Sequence, residues 1–244
     1  MSDYTEAEEL AFIQSLYDEA NKQLKEVYKD QKDNRDELLK EIAVIMLAYT
    51  ILDSLMSLPK QDIKKEYSRL SKIIDKSAQG QGTTENNVIK DILTDTVNKT
   101  FDFYSYNVNL KDVKKIIENN FKGKYFSSRV WDNEEEVAKH LHKQVNDFLN
   151  GKVNVNQIKK NIEKTYNTNA YNAKRLVETE VSRCSNDAFN RFCKETGVEK
   201  LRYNATLENT CAECLESHGK EYEYGDEPSL PRHPLCHCFY EIIE

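Results

Sequence analysis

The scarcity of proline constrains this chain most. Pro59 stands alone before Pro228, so more than two hundred residues carry a single backbone-enforced break. Over the same stretch, apolar side chains recur three, four and seven apart, the spacing of one helix face. Leu10, Ile13, Tyr17, Leu24 and Val27 form one such stripe, and Ile63, Tyr67, Leu70 and Ile74 a second. Val88, Ile92 and Val97 continue the pattern, reaching Phe101 and Tyr104. Asn109 is placed to cap a helix bearing Val113, Ile116 and Ile117. Val137, Leu141, Val145 and Phe148 line another that Gly151 ends. Asn154 or Asn156 opens a short helix with Ile158 and Ile162. A long one, from about Thr168 to Thr196, carries Ala173, Leu176, Val177, Val181, Cys184, Ala188 and Phe192 and is closed by Gly197.

Three stretches interrupt this regularity. Gln79-Gly80-Gln81-Gly82 reads as a linker, with Thr83 or Thr84 capping the next helix. Phe121–Trp131 reads as an irregular connection before a helix opened by Asp132 or Asn133. Leu38–Leu58 is apolar nearly all round and reads as a buried central helix. Its uncharged run, Ile42–Leu52, is about half of the roughly 20 residues a membrane span needs. The N-terminus, Met-Ser-Asp-Tyr-Thr-Glu, lacks the pattern of a secretory signal.

After Gly197 the period shortens. Leu201, Tyr203, Ala205 and Leu207 alternate with polar residues, and Lys220–Tyr224 and Cys238–Ile243 suggest two further short strands. From Tyr203 onward nine acids face only Lys220 and Arg232, so this tail carries the whole net charge of −7. Residues 1–202 balance 33 bases against 33 acids. That distribution excludes a basic, histone-like polymer binder at the level of the whole chain. The reading is a mainly α protein. A multi-helical body, with an N-terminal region 1–79 and a central region 83–197, carries a small β-containing, zinc-stapled module over residues 198–244.

The tail also holds four of the six cysteines. Cys211-Ala-Glu-Cys214 is followed by eighteen residues and then His233-Pro-Leu-Cys236-His237-Cys238. A Cys-x-x-Cys turn presents two thiolates to one ion, and a second pair from the later cluster completes a tetrahedron. Thiolate and imidazole together suit Zn²⁺. The candidate ligands are Cys211, Cys214, His233, Cys236 and Cys238. The preferred set is Cys211, Cys214 and Cys238, with the fourth from His233 or Cys236. The competing readings are a reduced cluster without metal, or disulfides. With four or more ligands available the metal is structural, not catalytic. Cys184 and Cys193 read as small core residues, and His140, His142, His218 and His237 as solvated surface.

Leu207-Glu-Asn-Thr-Cys-Ala-Glu-Cys-Leu-Glu-Ser-His-Gly-Lys220 and Leu230-Pro-Arg-His-Pro-Leu-Cys-His-Cys238 together resemble the C-terminal signature of the phage minor head, or Mu F-like head-morphogenesis, family. Phe126-Ser-Ser-Arg-Val-Trp131 is similar to that family's "F-S-x-R-I-W", and Arg175–Arg183 to its "R-L-x-R-T-E" helix. The resemblance spans about Glu118 to Glu244. It departs at His218, where the family usually has Asp, at His237, where it has Arg, and at Glu178, where it has Arg.

The resemblance implies a structural protein of the tailed-phage virion, made in the host cytoplasm and sited in the capsid interior or at the portal vertex. It implies action in head assembly and in packaging or release of DNA, with no catalysis. The implied partners are the portal protein and the major capsid or scaffold protein. The run Lys152, Lys159, Lys160, Lys164, Lys174 and Arg175 leaves weak DNA contact open; no membrane and no small-molecule substrate is implied. The alternative is an enzyme: an ADP-ribosyltransferase-like protein using Glu178 and Glu180, or a zinc-dependent nuclease using the Cys/His cluster.

Overall fold

The computed structural model describes residues 4–206 and 210–243. Thr5 starts α1 (Glu6–Gln23) through a reciprocal cap. Its hydroxyl accepts from the Glu8 N–H, and its own N–H donates to Glu8 Oε2 at 2.8 Å. α2 (Lys25–Ala48) follows after Leu24. A hairpin, β1 (Thr50–Leu52) and β2 (Leu55–Ser57), turns through Asp53 and Ser54, both at positive φ. That is the left-handed two-residue turn whose twist matches antiparallel strands.

Pro59 precedes α3 (Lys60–Phe103), and its carbonyl accepts the first helical bonds from Asp62 and Ile63. Asn109 caps α4 (Leu110–Ile117), accepting from the N–H groups of Lys111 and Asp112. α5 (Phe126–Leu149) and α6 (Val155–Thr196) follow. The tail contains β3 (Lys200–Asn204), the single turn α7 (Ala212–Leu215), β4 (Glu221–Glu223) and β5 (Phe239–Ile242). The three strands form an antiparallel sheet in the order β4-β3-β5, with Tyr203 opposite Tyr240 and Leu201 opposite Ile242.

Contacts divide the chain into two compact units that interleave in sequence. One comprises Lys25–Val88 and Ser127–Ala173. Its core joins Leu38, Ile42 and Ile45 of α2, Leu70 and Ile74 of α3, Val137, Leu141, Val145 and Phe148 of α5, and Ile158 and Ile162 of α6. The other comprises Met1–Leu24, Ile89–Phe126 and Lys174–Glu244. In its tail, Phe189 and Cys193 of α6 pack with Leu201, Tyr203, Cys214, Leu230, Cys236, Cys238, Tyr240 and Ile242.

The helical stripes are where the periodicity places them, except that Leu10 is 40% exposed, and several expectations are corrected. Gln79–Gly82 is no break: α3 runs through it without interruption. Each helical glycine costs about 1 kcal/mol relative to alanine, but Leu70 and Ile74 before it and Ile89 and Ile92 after it are buried and anchor the helix. Gly82 serves packing, since a Cβ there would lie 2.4–2.9 Å from ring carbons of Trp131. Second, Leu38–Leu58 is not one buried helix. Leu47 is 89% exposed and Leu52 58% exposed, and the helix gives way to the hairpin. No helix among the described residues is long and apolar enough to cross a membrane.

Third, Phe121–Trp131 is irregular only at its start, because α5 already begins at Phe126. Fourth, the helices expected to start near Asn154 and Thr168 are one continuous α6, capped by Asn154 Oδ1 accepting from the N–H groups of Asn156 and Gln157. The strand expected through Leu207 ends at Asn204, and Leu207 itself lies outside the described residues.

Candidate metal centre

Local chain chemistry brings the Cys/His residues together. Cys211 is the N-cap of α7, and its Sγ accepts from the Cys214 N–H at 3.4 Å. The first pair is therefore set by one helical turn. The second half is a turn in which the Cys236 N–H donates to the His233 carbonyl at 3.2 Å. Leu235 sits inside this turn at φ 62, a left-handed conformation that costs a β-carbon-bearing residue roughly 1–2 kcal/mol. Its N–H is held by Thr179 Oγ1 of α6 at 3.2 Å.

Cys211 Sγ lies 3.1 Å and Cys214 Sγ 3.5 Å from His233 Nε2, and Cys214 Sγ lies 3.9 Å from Cys236 Sγ. Two overlapping trios result: Cys211, Cys214 and His233, and Cys214, Cys236 and Cys238, each with ligand atoms within 4.8 Å of one another. Tetrahedral zinc at its usual bond lengths separates two sulfurs by about 3.8 Å, and a sulfur and a nitrogen by about 3.5 Å. The Cys214–Cys236 and Cys214–His233 separations match those values. His233 Nδ1 lies 2.9 Å from the Pro234 carbonyl oxygen, a contact that fixes Nδ1–H as donor and leaves the Nε2 lone pair facing the thiols.

The Cys211 thiol is held below its ordinary pKa, first by the Cys214 backbone N–H, and Cys236 is lowered to about 5, first by a hydrogen bond from the Cys238 thiol. Burial pushes Cys214 up to about 11. The donor set thus has the softness, spacing and partial thiolate character a zinc ion requires.

A cleft of about 820 Å³ opens beside these residues, walled by Leu10, Gln14 and Tyr17 of α1 and by Glu178 of α6. His237, expected at the surface, stands in this wall. Its ring stacks on Tyr17 with centroids 3.9 Å apart, and its Nε2 lies 3.2 Å from Glu178 Oε2. Glu178 also meets Lys174 at 3.5 Å and accepts from Asn21 at 3.4 Å. Its pKa is lowered although burial opposes this, with His237 the main stabilising partner. His218 is exposed, its Nδ1 accepting from the Ala205 N–H at 3.3 Å. His142 is half-buried and bonds to Asp75 at 2.8 Å; His140 is exposed and pairs with Glu136 at 3.0 Å. Cys184 and Cys193 are buried free thiols of the core.

Glu180, two residues from Glu178, is fully buried and meets Arg183 Nε at 2.7 Å. The pair does not converge on one site, because residues i and i+2 of a helix point apart. Arg183, only 2% exposed, was not singled out by the sequence. It donates to the carbonyls of Ile116 at 2.8 Å and Ile117 at 3.3 Å and to Asp187 at 3.0 Å. It therefore caps the C-terminus of α4, where a cation is favoured. The one available signal was the spacing of Glu180, Arg183 and Asp187 at three and four residues along a helix.

Glu178 and Thr179 of one resembling stretch thus meet His237 and Leu235 of the other. Residues 132–241 match the model of a family described as Phage Mu protein F like protein. No curated protein and no solved structure matches the chain. Phe126–Trp131 lies before the matched stretch, which takes in α6, β3, β4, most of β5 and the whole Cys/His cluster. Over residues 132–241 this chain is therefore similar to the family described as Phage Mu protein F like protein.

Proposed function

We propose that the chain is a minor structural protein of the tailed-phage head, acting at the portal vertex in head assembly and in DNA packaging or release. The observation that carries this reading is the family match across α6 and the tail. The helical body contacts portal and capsid subunits. The acidic tail meets a basic face of a protein partner, because its nine acids against two bases repel phosphate.

In this reading the tail is stapled by one structural Zn²⁺. Cys211, Cys214 and His233 form one trio of close donors and Cys214, Cys236 and Cys238 the other, so Cys211, Cys214 and His233 would hold it with Cys236 or Cys238 as the fourth ligand. The ion's role is to clamp two turns that enclose a Gly- and Pro-bearing segment too polar to make its own core. Glu178 and Glu180 serve structure, one pairing with His237 and the other with Arg183.

Two measurements test these statements. Elemental analysis of protein made in zinc-replete cells is expected to give about one zinc per chain, lost in Cys211→Ser; metal-free wild-type protein refutes the staple. Co-expression with the portal subunit is expected to yield a co-purifying complex. A chain absent from purified heads and free of portal refutes the head reading.

A further inference from the structure

The unit of residues 25–88 and 127–173 contains a second cluster, unrelated to the cysteines. Each of its four helical segments breaks its apolar stripe with a buried polar residue. Gln31 of α2 lies four residues after Val27 and seven before Leu38. Gln81 and Glu85 of α3 precede Val88. Glu134 of α5 lies between Val130 and Val137. Asn169 of α6 lies between Tyr166 and Ala173. All are interior, with exposures of 3% (Gln31), 2% (Gln81), 0% (Glu85), 1% (Glu134) and 1% (Asn169).

The residues meet. Asn169 Nδ2 donates to Glu134 Oε1 at 2.8 Å and to Gln81 Oε1 at 3.4 Å, and Gln81 Nε2 donates to Ser77 Oγ at 2.7 Å. The charge of Glu134 acts on Glu85. Asp30, beside Gln31, bonds to Thr84, beside Glu85, which brings α2 level with this part of α3. The charges that raise Glu85 and Glu134 are acidic, that of Glu134 on the former and that of Asp30 on the latter. Burial pushes Glu85 up to about 8 and Glu134 up to about 7.

The decisive feature is the kind of atom left over. Within this cluster, both oxygens of Glu85, Oε2 of Glu134, Oδ1 of Asn169 and Oε1 of Gln31 are buried without a hydrogen-bond partner, against one such donor, Gln31 Nε2. Protonating the two acids removes charge and lets each new O–H donate to one other oxygen, which meets at most four of these five acceptors. A cation answers both deficits, since it neutralises the carboxylates and takes up oxygen lone pairs. Carboxylate and amide oxygens are hard ligands that suit Ca²⁺ or Mn²⁺ and not a thiophilic metal. Helical bundles build ion sites in this way, from side chains on facing helices. We propose that Glu85 and Glu134, with the amide oxygens of Asn169 and Gln31, form a buried site for a hard divalent cation of the Ca²⁺ class.

The chain supplies its own reporter. Trp131, its single tryptophan, packs against Gly82, one turn from Glu85, and itself lies one turn before Glu134. Terbium(III), a Ca²⁺ surrogate, is added to the full-length protein with excitation through Trp131. Sensitised emission is expected to saturate at about one ion per chain and to be displaced by Ca²⁺. Glu85→Gln and Glu134→Gln are each expected to weaken binding by roughly tenfold or more. Should either glutamine variant not fold, wild-type thermal melts with and without Ca²⁺ decide, a rise in Tm being expected. No emission and no Ca²⁺-dependent melt in folded wild-type protein overturns the proposal. Emission of full strength in both glutamine variants also overturns it, as does stability that responds to pH but to neither ion.

Discussion

Replacing Arg183 with methionine removes a hub and leaves its surroundings in place. The guanidinium donates to Glu180, Asp187 and the carbonyls of Ile116 and Ile117, and it is 2% exposed. Methionine fills similar volume, so the cavity contribution is small. The cost falls on the partners. Glu180, fully buried, keeps a carboxylate with its principal counter-charge gone. Breaking one side of a buried pair costs roughly 3–5 kcal/mol. The two orphaned carbonyls at the end of α4 add to this, while Asp187, with a side chain 27% exposed, regains water and adds little.

The expected loss is therefore about 4–5 kcal/mol, a large part of the roughly 5–15 kcal/mol that stabilises a typical domain. Urea unfolding followed by far-UV circular dichroism reads it as a lower midpoint. The double variant Arg183→Met, Glu180→Gln is expected to recover a substantial share, because no buried charge then lacks its partner. A loss below about 1 kcal/mol, the scale of an exposed ion pair, refutes the reasoning. So does a double variant no better than the single one.

Other perturbations separate further claims. Gly80 has open space where a Cβ would sit, so Gly80→Ala is expected to stabilise α3 by about 0.5–1 kcal/mol; Gly82→Ala instead displaces the Trp131 ring and is expected to shift its fluorescence and cancel that gain. Glu9 is pushed up to about 8, by burial first and then by the charge of Glu241. Its folded pKa exceeds the unfolded value, so its contribution to stability is full below about pH 4 and is lost as pH rises through about 8. Glu9→Gln is expected to flatten that part of the pH–stability curve in thermal melts between pH 5 and 8.5, and an unchanged slope contradicts the assignment. Asn109→Ala is expected to cost about 1 kcal/mol by removing the cap of α4, read as a lower urea midpoint.

Much of this architecture is legible in the chain because helix periodicity is a local property. The stripes of Ile13 and Tyr17, of Leu70 and Ile74, and of Leu141 to Phe148 are buried as their spacing requires. Caps at Asn109 and Asn154 are legible for the same reason, since a short side chain answers its own helix end. The cysteine pairs were legible because their spacing in sequence is also their spacing on a turn. The Gly-rich break failed because the preference of Gln79–Gly82 is weak, and the cores flanking it on α3 are not. Leu38–Leu58 failed because a hydrophobic run does not say whether a turn at Asp53 and Ser54 will fold it back.

By itself, then, the sequence determined where helices form, the change of period after Gly197, the acidity of the tail and the presence of a thiol and imidazole set. These rest on nearest neighbours along the chain. Tertiary structure alone decided the pairing of Glu178 with His237, the gathering of Arg183's partners, the choice among ligand separations and the polar layer of Glu85, Glu134 and Asn169. Those contacts join residues 22 to 67 positions apart. They follow from how buried faces of different helices meet, where a polar group is worth what its neighbours in space make of it.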